Sequence, residues 1–206
     1  MKGSFTRLSF SITLIVLISL MLGCMRTKQK DAEESYSVSQ IQRGRELVAA
    51  SNCSDCHSPK IGTPQDDLTP DPERLMSGYP EGTPLPDLPY QNIGAEGWER
   101  VVYTTDMTVW VGPWGVSFSA NLTPDPDTGI GTWTPDHFIQ TIRTGMHMGM
   151  GRDLIAPMPW EDYANYSDED LMAIYAYLRT LIPIRNRVPA PIPPDDELFQ
   201  RRERVR

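Results

Sequence analysis

The sequence predicts an all-α fold: a small, loop-rich set of helices closed around one covalently attached group. Three observations carry this. The run Cys53-Ser54-Asp55-Cys56-His57 reads C-x-x-C-H, the attachment spacing of a c-type haem. A helical apolar pattern leads into that run, and a second stands near the other end, with Leu171, Ile174, Tyr175, Leu178 and Leu181 at helical spacing. Much of the chain between them, above all Pro59 to Gly97, is rich in Pro, Gly, Asp and Thr and offers turns without sustained periodicity.

The chain has 206 residues, enough for one ordinary domain with extras. Residues 1–23 have the form of a secretory signal: Lys2 and Arg7 give a basic start, Phe10 to Leu22 is almost wholly apolar, and Gly23-Cys24 closes the segment. The alternative is an uncleaved anchor helix, for which the apolar run is short, since a span needs about 20 residues. Leu20-Met21-Leu22-Gly23-Cys24 resembles a bacterial lipobox, with Met21 where Leu is usual. Lipidation of Cys24 would account for the third cysteine. Either way the expectation is an extracytoplasmic protein tethered to a membrane. Removing residues 1–23 takes away two basic residues and no acid, moving the net charge from -8 to -10. A chain this acidic is a poor nucleic-acid binder, so no nucleic-acid partner is expected.

Residues 24–38 are polar and charged and read as a flexible spacer behind the lipid. The domain is expected over 39–185. Its first helix starts at Ser39 as N-cap, buries Ile41, Leu47 and Val48, and runs into Cys53. Gly44 costs that helix stability, for which close approach of another helix is one reason and a tolerated exposed glycine the other. Short helices are expected at Asp71–Met76 and from near Gly94. Val109 to Phe118, with Trp110 and Trp114, suits a short strand pair or a pocket wall. Thr134-Pro135-Asp136 starts a helix as hydroxyl cap, N1 proline and first-turn acid. Phe138, Ile139 and Ile142 form its buried face and Gly145 stops it. Ser167-Asp168-Glu169-Asp170 starts the last helix and Pro183 ends it. Residues 186–206, with Pro189, Pro191, Pro193 and Pro194 and then a basic run, read as an extended or disordered tail.

Two thiols three positions apart reach the vinyl groups on one side of a porphyrin, and His57 then falls under the iron as proximal ligand. A four-ligand zinc site lacks cysteines, since the chain has three. A thioredoxin-like pair should follow a strand in a βαβ unit, whereas this one follows a helical pattern. One C-x-x-C-H implies one haem. For the sixth iron position the leading residue is Met158, in Ala156-Pro157-Met158-Pro159-Trp160, where the prolines hold the backbone extended. A Met thioether raises the potential and leaves no site open for oxygen chemistry. Competing readings are bis-His ligation through His137 or His147, and Cu(I) binding by Met146, His147, Met148 and Met150. Arg143 and Arg152 are either propionate partners or surface charge. Trp114, Trp160 and Tyr163 read as packing residues.

These residues resemble the class I cytochrome c family over about residues 40 to 185. In that family the N- and C-terminal helices cross near a glycine and an aromatic. Gly44 and Tyr177 look like those two positions, with Gly44 one residue further from the first haem cysteine than is usual. The run from Asn121 to Gly131, Trp133-Thr-Pro-Asp-His-Phe138, Met158-Pro-Trp160 and Asp168-Glu-Asp-Leu-Met-Ala-Ile-Tyr-Ala-Tyr-Leu178 is similar to the cytochrome subunits of membrane-bound gluconate and alcohol dehydrogenases. The resemblance implies that Met158 is the axial ligand. Those subunits usually carry three haem domains, and this chain has one C-x-x-C-H, so a complete relay is not implied.

The expectation is a membrane-anchored monohaem cytochrome c passing single electrons between redox partner proteins. Haem c is held by Cys53, Cys56, His57 and Met158, and no residue is needed as acid or base. The alternatives are an electron-transfer subunit of a periplasmic dehydrogenase complex, and a haem enzyme with a labile sixth ligand acting on peroxide.

Overall fold

The computed structural model describes residues 36–63, 67–85 and 101–194. Of the two units into which the chain divides, Met1–Ser37 and Val38–Arg206, these residues lie almost wholly in the second. The expected signal segment, Cys24, the helix from near Gly94 and the terminal basic run fall outside them. Among the described residues no helix is long and apolar enough to cross a membrane.

Helix α1 (Val38–Ala50) begins one residue before the expected cap at Ser39. It does not run into Cys53: Asn52 takes a left-handed conformation, φ 52°, and a separate short helix, α2 (Cys53–His57), carries the C-x-x-C-H run. Helix α3 (Pro135–Thr144) starts as the sequence foretold. The Thr134 side chain accepts from His137 N–H, Pro135 opens the first turn, and Gly145 ends it at φ 66°. Helix α4 (Trp160–Tyr163) is a single turn. Helix α5 (Asp168–Arg179) has Ser167 as its cap and stops before Pro183. Leu171, Ile174, Tyr175 and Leu178 on α5, with Leu47 and Val48 on α1 and Phe138, Ile139 and Ile142 on α3, are buried apolar residues.

Helices α1 and α5 pack directly on each other, and Gly44 is the point of closest approach. A Cβ there would stand 1.8 Å from the Ala173 carbonyl oxygen and 2.9 Å from Tyr177 Cβ. That decides the reading of Gly44 in favour of close helix approach. Arg43 closes the same interface with two bonds to the Asp170 carboxylate, 2.8 and 3.1 Å.

The helical frame is as expected, but the fold is not purely all-α. Strands β1 (Lys60–Ile61) and β2 (Thr69–Pro70) pair, and β3 (Val102–Tyr103), β4 (Val109–Gly112) and β5 (Gly115–Phe118) form an antiparallel sheet in that order. The cause lies in local chemistry. Val109, Val111 and Val116 suit strands, and Gly112 pairs with Gly115 around the two-residue turn Pro113-Trp114. The helix expected at Asp71–Met76 is a single 3-10 turn, Pro72–Arg74, capped by the Asp71 side chain. One face of the sheet, with Val109, Val111 and Val116, joins Tyr79 in a second small core.

The segment past 185 is extended, as its prolines require, but it is not loose up to Ile192. Asn186 is 1% exposed, its amide donating to the carbonyls of Ser77 (2.6 Å) and Tyr79 (2.8 Å). Ile192 exchanges two backbone bonds with Val116, at 2.8 and 2.9 Å, and so covers the outer edge of β5.

Candidate haem site

Cys53 and Cys56 occupy the first and fourth positions of α2, a spacing that puts both on one helix face. Both are free thiols. Burial pushes the Cys53 thiol up to about 11, with Cys56 and Asp55 adding to it, and burial likewise raises Cys56. They are therefore neutral thiols, poor thiolate nucleophiles or metal ligands. Among the described residues no group of three His, Cys, Asp or Glu side chains is placed to hold a metal ion. Adding each S–H across a vinyl group, to give two thioethers, is chemistry this pair suits.

Several bonds fix the turn that carries them. Lys60 Nζ donates to the carbonyls of Asp55 and Asp106. Tyr163 Oη donates to Ser51 O at 3.1 Å, and Tyr166 Oη shares a 2.9 Å bond with Ser51 Oγ. The Tyr163 phenol is raised to about 12, by burial first and then by Cys53, with Cys56 also contributing. Tyr163, five residues after Met158 in the chain, is thus near enough to both thiols for their charge to act on its phenol.

His57 is oriented by the backbone. Its Nδ1 bonds Ala120 O at 2.8 Å, so Nδ1 carries the proton and donates. That fixes the tautomer in which Nε2 holds a lone pair, and it raises the basicity of the ring toward a metal. Burial lowers the pKa of the imidazole, which favours the neutral, ligating form. Its own carbonyl accepts from Gly78 N–H at 2.8 Å. Gly78, at φ +75°, lets the two segments meet, since a Cβ there would be 2.3 Å from Ser119 O and 2.7 Å from Ala120 O. Two neutral thiols and an imidazole oriented for metal binding fit a haem c.

The Met158 loop is attached at both ends. Leu154 N–H donates to Gly145 O at 2.6 Å, and Trp160 N–H to Met158 O at 2.9 Å. The Trp160 ring lies over Gly145, where a Cβ would be 2.4 Å from Cε2. Ser117 Oγ, on β5, donates to Ala156 O at 2.7 Å. Met158 itself is half-buried.

The competing residues have other work. His137 closes the α3 cap by accepting from Thr134 N–H at 3.3 Å. His147 meets the edge of Trp133 at a centroid distance of 5.1 Å. Met150 is 87% exposed. Arg143 bonds Asp168 at 2.6 Å and the Ala164 carbonyl. Arg152 donates to Asp153 O at 3.1 Å. Sequence reasoning missed Ala120, Ser117, Ser51 and Tyr166. The first acts through a backbone carbonyl, which every residue has, so no side-chain signal exists for it.

No family model matches the chain. Over 161 residues, 78% of its length, it is 29% identical to the gluconate 2-dehydrogenase cytochrome c subunit of Pantoea cypripedii, of which it covers 27%. Over 156 residues, 76% of its length, it is 29% identical to one of the nicotinate dehydrogenase subunits of Pseudomonas putida, of which it covers 10%. A stretch of 65 residues, 32% of the chain, is 38% identical to the cytochrome c subunit of a quinone-type alcohol dehydrogenase from Gluconobacter oxydans, of which it covers 13%. The chain therefore spans about a quarter or less of these relatives, and its homologues include cytochrome c subunits of dehydrogenases at modest identity.

Proposed function

We propose that this chain is an extracytoplasmic, membrane-tethered monohaem cytochrome c that passes single electrons between protein partners. Cys53 and Cys56 hold the porphyrin, His57 and Met158 hold the iron, and Cys24 carries the lipid. The observation that carries the reading is the 2.8 Å bond from His57 Nδ1 to Ala120 O, beside two half-buried free thiols on the same short helix. Bound there, a haem c supplies a one-electron ferric/ferrous couple. The protein's part is to orient the imidazole, exclude water with Tyr163 and the Met158 loop, and present a sulfur that favours the ferrous state. No general acid or base is required.

A second reading is favoured by the relatives' names, which are those of dehydrogenase subunits. In it the chain is the electron port of a complex whose catalytic chain is separate. Co-purification with a flavin- or quinone-containing chain distinguishes this from a free carrier.

The test is the absorption spectrum of the protein matured in a host that attaches c-type haem. The expected result is a low-spin spectrum with a far-red sulfur-to-iron band that Met158→Ala abolishes. A high-spin ferric spectrum, or CO binding to the ferrous wild type, would instead mean an open iron and an enzyme acting on a small oxidant such as peroxide.

A further inference from the structure

The β-sheet, whose strands β4 and β5 fall on the stretch expected as a strand pair or a pocket wall, touches both sides of the proposed iron site. Ala120, just past β5, holds His57. Ser117, three residues earlier, holds Ala156, two residues before Met158. Three residues of extended chain span at most about 10 Å, so one short piece of backbone is bonded to both ligand-bearing segments.

The Met158 side depends on that bond more than the His57 side does. Pro157 and Pro159 have no N–H to donate. Met158 N–H reaches Ile155 O only at 3.4 Å. Among the described residues, Ser117 is the one residue outside the stretch 154–164 with a hydrogen bond to any of residues 155–159. Its hydroxyl is well held for the purpose. Ser117 is 6% exposed and lies on the sheet face opposite Val116. It accepts from Trp114 Nε1 at 3.3 Å, which directs its own proton toward Ala156 O. On the next-door residue, the Val116–Ile192 bonds keep β5 from shifting outward.

We infer that Ser117 is a positioning residue for Met158, its hydroxyl fixing where the thioether stands across from His57. The inference rests on Met158 being the ligand. A thioether is a neutral, weakly bound ligand, so the time it spends on the iron follows from how firmly its loop is held. A neutral hydrogen bond contributes about 1 kcal/mol net, which corresponds to roughly five- to tenfold in ligand occupancy.

The experiment uses the full-length haem-loaded protein and imidazole as the competing ligand. Ser117→Ala is expected to bind imidazole in the ferric state about five- to tenfold more tightly than wild type and to lower the midpoint potential. Ser117→Thr, which keeps the hydroxyl, should restore both. Trp114→Phe, which removes the bond that orients the Ser117 hydroxyl but keeps the hydroxyl itself, should shift both in the same direction as Ser117→Ala and by less. Should Ser117→Ala not accumulate, Ser117→Gly removes the same hydroxyl and gives the same readout. Wild-type imidazole affinity and potential in the hydroxyl-less variant would overturn the role of Ser117. Met158→Ala separates the two claims. If it opens the iron while Ser117→Ala does not, only the positioning role falls. If Met158→Ala itself matches wild type, the ligand assignment falls and the role of Ser117 with it.

Discussion

Gly44 and Ala173 are in contact through backbone alone: the space a methyl group would need at Gly44 is taken by the Ala173 carbonyl, 1.8 Å from the ideal Cβ. The two residues belong to helices at opposite ends of the domain. Their contact sets how near α1, and with it the cysteine turn, comes to α5.

Gly44→Ala tests that contact because its sign is unusual. In a free helix the change stabilises by about 1 kcal/mol. Here the methyl forces the helices apart, and overpacking costs about 1–3 kcal/mol. The expected outcome is net destabilisation, seen as a fall of several degrees in the thermal midpoint of the haem-loaded protein. A rise would mean that the helices separate at no cost.

Asp170 gives a pH-dependent prediction. Its hydrogen bond to Arg43, then the attraction of that charge, holds its carboxyl below the ordinary range. A lowered carboxyl pKa in the folded state stabilises above the unfolded value, near about pH 4, and the contribution disappears as pH falls through the folded value. Asp170→Asn should therefore be slightly less stable than wild type at neutral pH, and the difference should disappear as pH falls through the lowered folded-state value. A difference that persists undiminished in acid would mean that packing, not charge, is responsible. Salt should shrink the neutral-pH difference.

Asn186 shows that the segment beyond the last helix belongs to the domain's stability. Its carboxamide accepts from Glu81 N–H (2.7 Å) and Arg74 (3.2 Å) while donating to the carbonyls of Ser77 and Tyr79. Asn186→Ala leaves buried backbone groups without partners, at about 1–3 kcal/mol for each that water does not reach. Loss of at least about 2 kcal/mol is expected in denaturant titration. A loss below about 0.5 kcal/mol would mean that the segment 186–194 does not pack on the domain in solution.

The legible parts of this protein were those whose chemistry is local. Thr134, Pro135 and Gly145 mark the ends of α3 because caps are read within one turn of chain. The C-x-x-C-H run is legible because both thiols and the imidazole sit on five consecutive residues. Gly44 was legible as a question, and the structure answers it. What escaped was non-local or carried by the main chain. The partner of His57 is the carbonyl of Ala120, 63 residues away, and Ala120 has no side chain that could announce it. Asn186 stands among prolines that argue for a loose tail, while the four partners of its carboxamide lie more than 100 residues upstream. Strands of two to four residues are too short to build a period, so β4 and β5 were legible in Val109 to Phe118 only as one of two readings, a short strand pair or a pocket wall, and β3 was not legible at all.

The crossing of α1 and α5 has a consequence in time. Arg43 and Asp170 are 127 residues apart, so the contact that closes the helical frame joins the first described helix to the last. Contacts at such separation form late, because the entropy of bringing the ends together must be met before they give anything back. Tyr163 and Tyr166, which anchor Ser51 just ahead of Cys53, arrive on that same late-forming segment. During synthesis from the N-terminal end, the two thiols are therefore made well before the residues that shield them. For the proposed extracytoplasmic haem protein, the window for covalent attachment is then the interval between export and closure of that contact, and a variant that hastens closure would shorten it.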